Sequence, residues 1–305
     1  MPVSRFRFAI MVLCAALSSL FCLAEEEPLP EFTAARAVFD YAMAALRSGD
    51  SGTARAHLDS LVAEHEASDD PGVADVVLRA LYIGIRLPGD DEKTPGAVIA
   101  ACDRFLDRQP DLNDPEYLGW VGAALLTRAM SLSTLEDADG ERETYRRIID
   151  IYGSHPYPAF ALAAAQAMVN LAILLNEDGR RDDTLALCAE VWNTFGEAET
   201  PQIVYCVGWS MTKAAELIFQ DMAAGKGPDG DYASGLAAEF GNIALRHQNA
   251  TDAESRPGVI HMLFAQMKLL TISGQYEEAI AVADAIDAAY GNDSGGETRP
   301  FWRMP

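Results

Sequence analysis

Three things are scarce in this chain: positive charge, clustered cysteine and any strand signal. Against 46 acidic residues stand 23 basic ones, a formal net charge of −23. Such a surface repels phosphates, which argues against nucleic acid as a partner and leaves basic proteins or cations as the easiest ones. Five cysteines occur, none in a C-x-x-C spacing, so neither a disulfide framework nor a zinc site is indicated. No run of Val, Ile and Thr alternates with polar residues between turn dipeptides, and strands are not expected. The G-x-S-x-G elbow, the phosphate-binding glycine loop, the dinucleotide fingerprint and H-E-x-x-H are also missing, so no catalytic centre, cofactor or metal is expected.

What is present begins with a leader. Arg5 and Arg7 precede an apolar run from Phe8 to Leu23, broken only by Ser18 and Ser19, and Ala24 is followed by Glu25-Glu26-Glu27-Pro28. This is the order of a secretory signal, with cleavage expected after Ala24 and an uncleaved N-terminal membrane anchor as the alternative. Phe21 before Cys22 and Leu13 before Cys14 disfavour a lipoprotein site. Removing Arg5 and Arg7 takes the basic count from 23 to 21 against 46 acids, a formal charge of −25. Half of the residues are apolar, enough for a sizeable core. Cys102, Cys188 and Cys206 remain after the leader; the helix reading puts Cys188 and Cys206 on consecutive helices, which leaves a disulfide between them open against buried free thiols.

Past an acidic linker at 25–33, proline-terminated stops recur at near-regular intervals: Glu66 to Pro71, Pro110 to Pro115, Tyr152 to Pro156, Phe195 to Pro201 and Ser255 to Pro257. Proline opens helices and glycine closes them, so each stop ends one helix and starts another. Polar or glycine breaks split each interval: Ser48-Gly49-Asp50, Pro88 to Asp91, Asp137 to Gly140, Asn176 to Gly179, Gly225 to Gly230 and Ser273-Gly274. The second helix of each pair carries apolar or small residues at i, i+4 and i+7, as in Ala54, Leu58, Leu61; Val98, Cys102, Phe105; Thr184, Cys188, Val191; and Ala279, Ala283, Ile286. Six helix pairs are predicted, near 34–70, 72–110, 115–153, 158–196, 202–250 and 257–291, with a flexible tail at 292–305.

The order Gly274-Gln-Tyr276-Glu-Glu-Ala279, a glycine, an aromatic, an acidic pair and then a small residue, resembles the tetratricopeptide repeat. The likeness is best at 257–290, 158–196 and 35–67, and first helices lack the full Trp, Leu-Gly and Tyr set. It implies an all-α, right-handed superhelical solenoid of antiparallel helix pairs whose first helices line a concave peptide groove. Unit by unit, that groove would draw on Phe39, Met43, Leu126, Met130, Val169, Ile173, Met211, His261, Phe264 and Lys268. The same residues at helical spacing also fit a buried core.

Other candidates weigh less. Pro158 to Leu175 is apolar enough for a membrane span, but its alanines, Gln166, Asn170 and repeat register favour a buried helix, and no span is expected after the leader. Asp137, Asp139 and Gly140 suggest a calcium loop, yet Leu135 and Arg146 fall where its first and last ligands belong. His57, His65, His155, His247 and His261 are scattered, and the glycosylation triplets at Asn249 and Asn292 matter only in a eukaryotic secretory pathway. A closed α/α toroid acting on carbohydrate is the alternative architecture. It needs facing carboxylates on first helices, which carry only Asp40, Asp75, Glu116, Glu216 and Asp221. The expectation is therefore a non-catalytic, periplasmic or secreted scaffold for a protein or peptide partner, or in narrower form an envelope assembly or tethering factor.

Overall fold

In the computed structural model, residues 30–87, 94–153, 158–248 and 255–290 are described. The leader at 1–24, most of the linker, the 88–91 break, His155, Asn249 and the tail from 292 lie outside them. All regular structure among the described residues is helical: twelve helices and no strand. The chain divides into two compact units, 1–93 and 94–305.

The first unit holds α1 (Pro30–Arg47), α2 (Ser51–His65) and α3 (Pro71–Arg86), each packed on the other two. Ala54, Leu58 and Leu61 of α2 are buried, as their spacing requires. Asp50 and Asp70 cap α2 and α3 by accepting from Thr53 N and Val73 N, each at 2.9 Å. Arg55 pairs with Asp59 at 2.8 Å and donates to the Leu87 carbonyl at 3.0 Å, tying α2 to the end of α3.

The second unit holds α4 (Pro95–Leu106), α5 (Pro115–Thr134), α6 (Ala138–Tyr152), α7 (Pro158–Glu177), α8 (Arg181–Phe195), α9 (Pro201–Ala223), α10 (Gly230–His247), α11 (Arg256–Ile272) and α12 (Tyr276–Tyr290). Sequence neighbours pack on one another throughout, except that α9 only grazes α10. Alternate helices also touch: α5 with α7, α7 with α9, and α9 most extensively with α11. The apolar α7, whose residues 160–177 have a mean hydropathy of 1.4, is long and apolar enough to cross a membrane. It packs against α5, α6, α8 and α9, with Ala164, Ala165, Met168 and Ala172 enclosed.

One turn recurs. The N–H of Asp50, Asp137, Arg180, Lys226 and Gln275 each reaches the carbonyl five residues back, at 2.9 to 3.0 Å. The preceding residue is left-handed each time: Gly49, Glu136, Gly179, Gly225 and Gly274. This is the glycine helix stop with its long return bond, which reverses the chain into the next helix. At the α5–α6 turn a glutamate occupies the strained position. Gly140, read from the sequence as part of the break, lies inside α6, where its N–H caps onto Asp137 at 3.0 Å.

Close approach explains the α9–α11 pairing. A Cβ on Gly208 would stand 2.2 Å from the Gly258 carbonyl oxygen, and one on Gly258 would stand 2.6 Å from the Val204 oxygen. The two backbones meet where neither carries a side chain.

Candidate functional site

The surface that best fits a recognition role runs along α9 and α11. On α9, Tyr205, Trp209, Thr212, Glu216 and Phe219 follow i, i+4, i+7, i+11 and i+14 spacing and so share one face. Tyr205 is 43% exposed and Phe219 41%, while Trp209, Thr212 and Glu216 are half-buried. On α11, His261, Phe264 and Lys268 form a matching half-buried stripe. The glycine crossing brings the stripes together.

Specific bonds fix their register. The Thr212 hydroxyl donates to the His261 carbonyl at 2.9 Å, and its oxygen lies 3.3 Å from His261 Nδ1. A hydroxyl has one proton; with it committed to the carbonyl, Nδ1 carries the ring proton and Nε2 keeps its lone pair. The Tyr205 ring meets the imidazole edge-on, with centroids 5.7 Å apart and planes at 85°. Burial holds the His261 pKa below its ordinary value, with nearby Glu216 pulling the other way. Glu216 is in turn paired with Lys213 at 2.9 Å. Lys268 Nζ stands 5.9 Å from the centre of the Phe219 ring, a cation over an aromatic face. The result is an aromatic surface that carries the Lys268 ammonium, the Lys213–Glu216 pair and an imidazole whose pKa burial lowers, on a chain that is strongly acidic.

The expected groove residues divide. His261, Phe264 and Lys268 lie together on this surface. Met211, on α9 but on its opposite side, is fully enclosed and lines no surface. Val169 is also buried; Ile173 and Leu126 are half-buried, and Met130 is 70% exposed. Phe39 is buried in the first unit, where Arg36 covers its ring at 5.8 Å, and Met43 is half-buried there. The residues that the spacing did not single out, Tyr205, Trp209, Thr212, Glu216 and Phe219, form the larger part of the α9 stripe.

The remaining candidates are accounted for by structure. Cys102, Cys188 and Cys206 are buried free thiols; desolvation pushes the first two up to about 12 and the third up to about 11. His57 and His65 stand on α2, His247 on α10 and His261 on α11, with His247 Nε2 against the Gly196 carbonyl at 3.1 Å. No cluster of three or more metal-ligating side chains occurs among the described residues. A shallow cleft over Asp103, Leu125, Arg128, Glu143, Thr144 and Arg147 is crossed by the Arg128–Asp103 pair at 2.7 Å and by an Arg128–Thr144 bond.

No family model matches the chain, and neither does any curated protein. Among solved structures, BtubC (BKLC) from P. vanneervenii aligns over 87% of this chain and 95% of its own, at 16% identity and a TM-score of 0.48. A likeness that distant assigns no residue a role.

Proposed function

We propose that this chain is an exported, non-catalytic interaction scaffold that receives a protein or peptide partner along the α9–α11 surface. The observation that carries the reading is the pair of aligned stripes: partly exposed Tyr205 and Phe219, with Trp209, His261, Phe264 and Lys268, on two helices locked by a backbone-to-backbone crossing. Aromatic rings held on rigid helices supply contact area at little entropic cost, which is the composition of binding hot spots.

The architecture we propose is a right-handed tetratricopeptide-like solenoid of about six pairs. Five identical left-handed turns support it, as does the packing of α5, α7, α9 and α11 side by side. The leader sequence supports export to the periplasm or cell envelope, and α7, enclosed by four neighbours, is read as a core helix. Of the acids that a toroidal glycosidase would need, Asp40, Asp75, Glu216 and Asp221 are each held by a basic side chain at 2.7 to 3.2 Å. A scaffold accommodates that pairing more readily than an acid–base centre does.

The test is capture of the partner from native envelope extract with the wild type and with Tyr205→Ala/Phe219→Ala/Lys268→Glu. Losing two aromatic anchors and reversing one charge is expected to weaken capture at least ~10-fold with the helical spectrum unchanged. Undiminished capture would remove the surface from consideration.

A further inference from the structure

Net charge alone points to basic partners, but charge is not spread evenly over the helices of the second unit. α11 carries Arg256, His261 and Lys268 and no acid. α9 carries Lys213 against Glu216 and Asp221, and Asp221 is held by Arg181 of α8 at 2.7 Å. The second helices of these pairs are acidic: α8 has Asp182, Asp183 and Glu190 against one arginine, α10 has Asp231 and Glu239 against one arginine, and α12 has four acids and no lysine or arginine. The α9–α11 surface is therefore a face of the chain from which the prevailing negative charge is absent.

Lys268 is the cation on that face with no acid of its own. Lys213 is paired with Glu216 at 2.9 Å, and Arg246 of α10 with Glu197 at 3.1 Å, whereas Lys268 makes no ion pair among the described residues. The side chain is half-buried, and its ammonium stands 5.9 Å from the centre of the Phe219 ring. An ammonium already placed over an aromatic face has lost part of its water and of its freedom, so a carboxylate that reaches it gains more than it would at a freely moving surface lysine. The rings of Tyr205, Trp209, Phe219 and Phe264 around it offer apolar contact on either side.

The same distribution selects against the opposite sign. A basic segment is drawn to α8, α10 and α12 and meets Lys213 and Lys268 on α9 and α11. An acidic segment is repelled by the second helices and finds on α9 and α11 a face that does not repel it.

We propose that the partner of the α9–α11 surface is an acidic, apolar segment within another protein, an Asp or Glu side chain pairing with Lys268 while its aromatic or aliphatic neighbours lie on Phe219 and Trp209. This rests on the reading of that surface as the binding face and adds to it the sign of the partner's charge.

The probe is a library of random 12-residue peptides, each fused through its C-terminus to a phage coat protein so that no member has a free terminal carboxylate, selected on the full chain. Wild type is expected to enrich Asp or Glu beside aromatic or aliphatic residues about five-fold over the unselected library. With the best peptide labelled for fluorescence polarisation, exchanging its acid for lysine should weaken binding ~10-fold, Lys268→Glu should do the same, and the two reversals together should return it to within about three-fold of the starting pair. Basic or uncharged peptides that bind wild type but not Tyr205→Ala/Phe219→Ala overturn the acidic assignment and leave the binding face standing. Peptides bound equally by that aromatic variant, or no enrichment at all, overturn both. A double reversal that fails to recover binding overturns the pairing with Lys268.

Discussion

Gly208→Ala is the sharpest structural test of the α9–α11 crossing. The new methyl would stand 2.2 Å from the Gly258 carbonyl oxygen and 2.9 Å from its carbon, where about 3.3 Å is needed. Both obstacles are backbone, so no rotamer change relieves them and the helices must separate by about 1 Å. Overpacking of this kind costs ~1–3 kcal/mol, and rigid neighbours place it near the top of that range. Alanine returns about 1 kcal/mol through its better helix propensity. The net loss is about 2 kcal/mol, or a Tm lowered by ~4–8 °C for a unit of this size. Gly235→Ala on α10 is the control, because nothing lies within 4 Å of its added methyl. It gains the propensity term alone and should raise Tm by ~2–4 °C. Circular dichroism melts of both variants decide the matter. A Gly208→Ala protein melting at or above the wild type would refute the close crossing. Gly258→Ala should resemble it, and the double variant should lose less than the sum, since helices once separated accommodate both methyls.

Other outcomes follow from single features. Glu136→Gly relieves a left-handed residue at φ +57 and should stabilise by about 1 kcal/mol in urea titrations; destabilisation would mean that the turn differs from its four glycine counterparts. Tyr152→Phe removes the buried hydroxyl that donates to the Leu118 carbonyl, with an expected loss of ~1–3 kcal/mol; no change in the urea midpoint would contradict that bond. Because burial depresses the His261 pKa, the folded chain binds fewer protons there than the unfolded chain. Its contribution is thus complete above pH 6.5 and is lost as pH falls through the folded pKa. The urea midpoint of the wild type should therefore drop more steeply from pH 7.5 to 5 than that of His261→Gln, and parallel profiles would dismiss the effect. Native Cys102, Cys188 and Cys206, enclosed and with raised pKa values, should resist thiol reagents until the chain is unfolded; rapid native labelling would show the core to be open.

The turns were the most legible part of the fold. Gly49, Gly179 and Gly274 stood out because only glycine adopts the left-handed stop without strain. The α5–α6 turn was misplaced because Glu136 holds that position and the visible glycine, Gly140, is helical. The buried faces were equally readable: Thr184, Cys188 and Val191 are enclosed as their spacing required. The site was read less completely. α9 carries one apolar stripe through Met211, Ala215 and Ile218 and another through Tyr205, Trp209 and Phe219. Periodicity marks both equally, and only the neighbour each stripe meets decides which is core. The signal that could have separated them is polar: Thr212 and Glu216 interrupt the second stripe, while the first is uninterrupted. The crossing that unites α9 with α11 depends on Gly208 and Gly258, fifty residues apart, and no local pattern pairs them.

The scaffold reading is tested most directly by placing a photo-crosslinking amino acid at position 219 of α9, and in a second protein at position 190 on the exposed side of α8, then illuminating each in native envelope extract. A discrete protein adduct from position 219 and none from position 190 is the expected result. No adduct from 219, or the same adducts from both, would contradict partner binding on the α9–α11 surface.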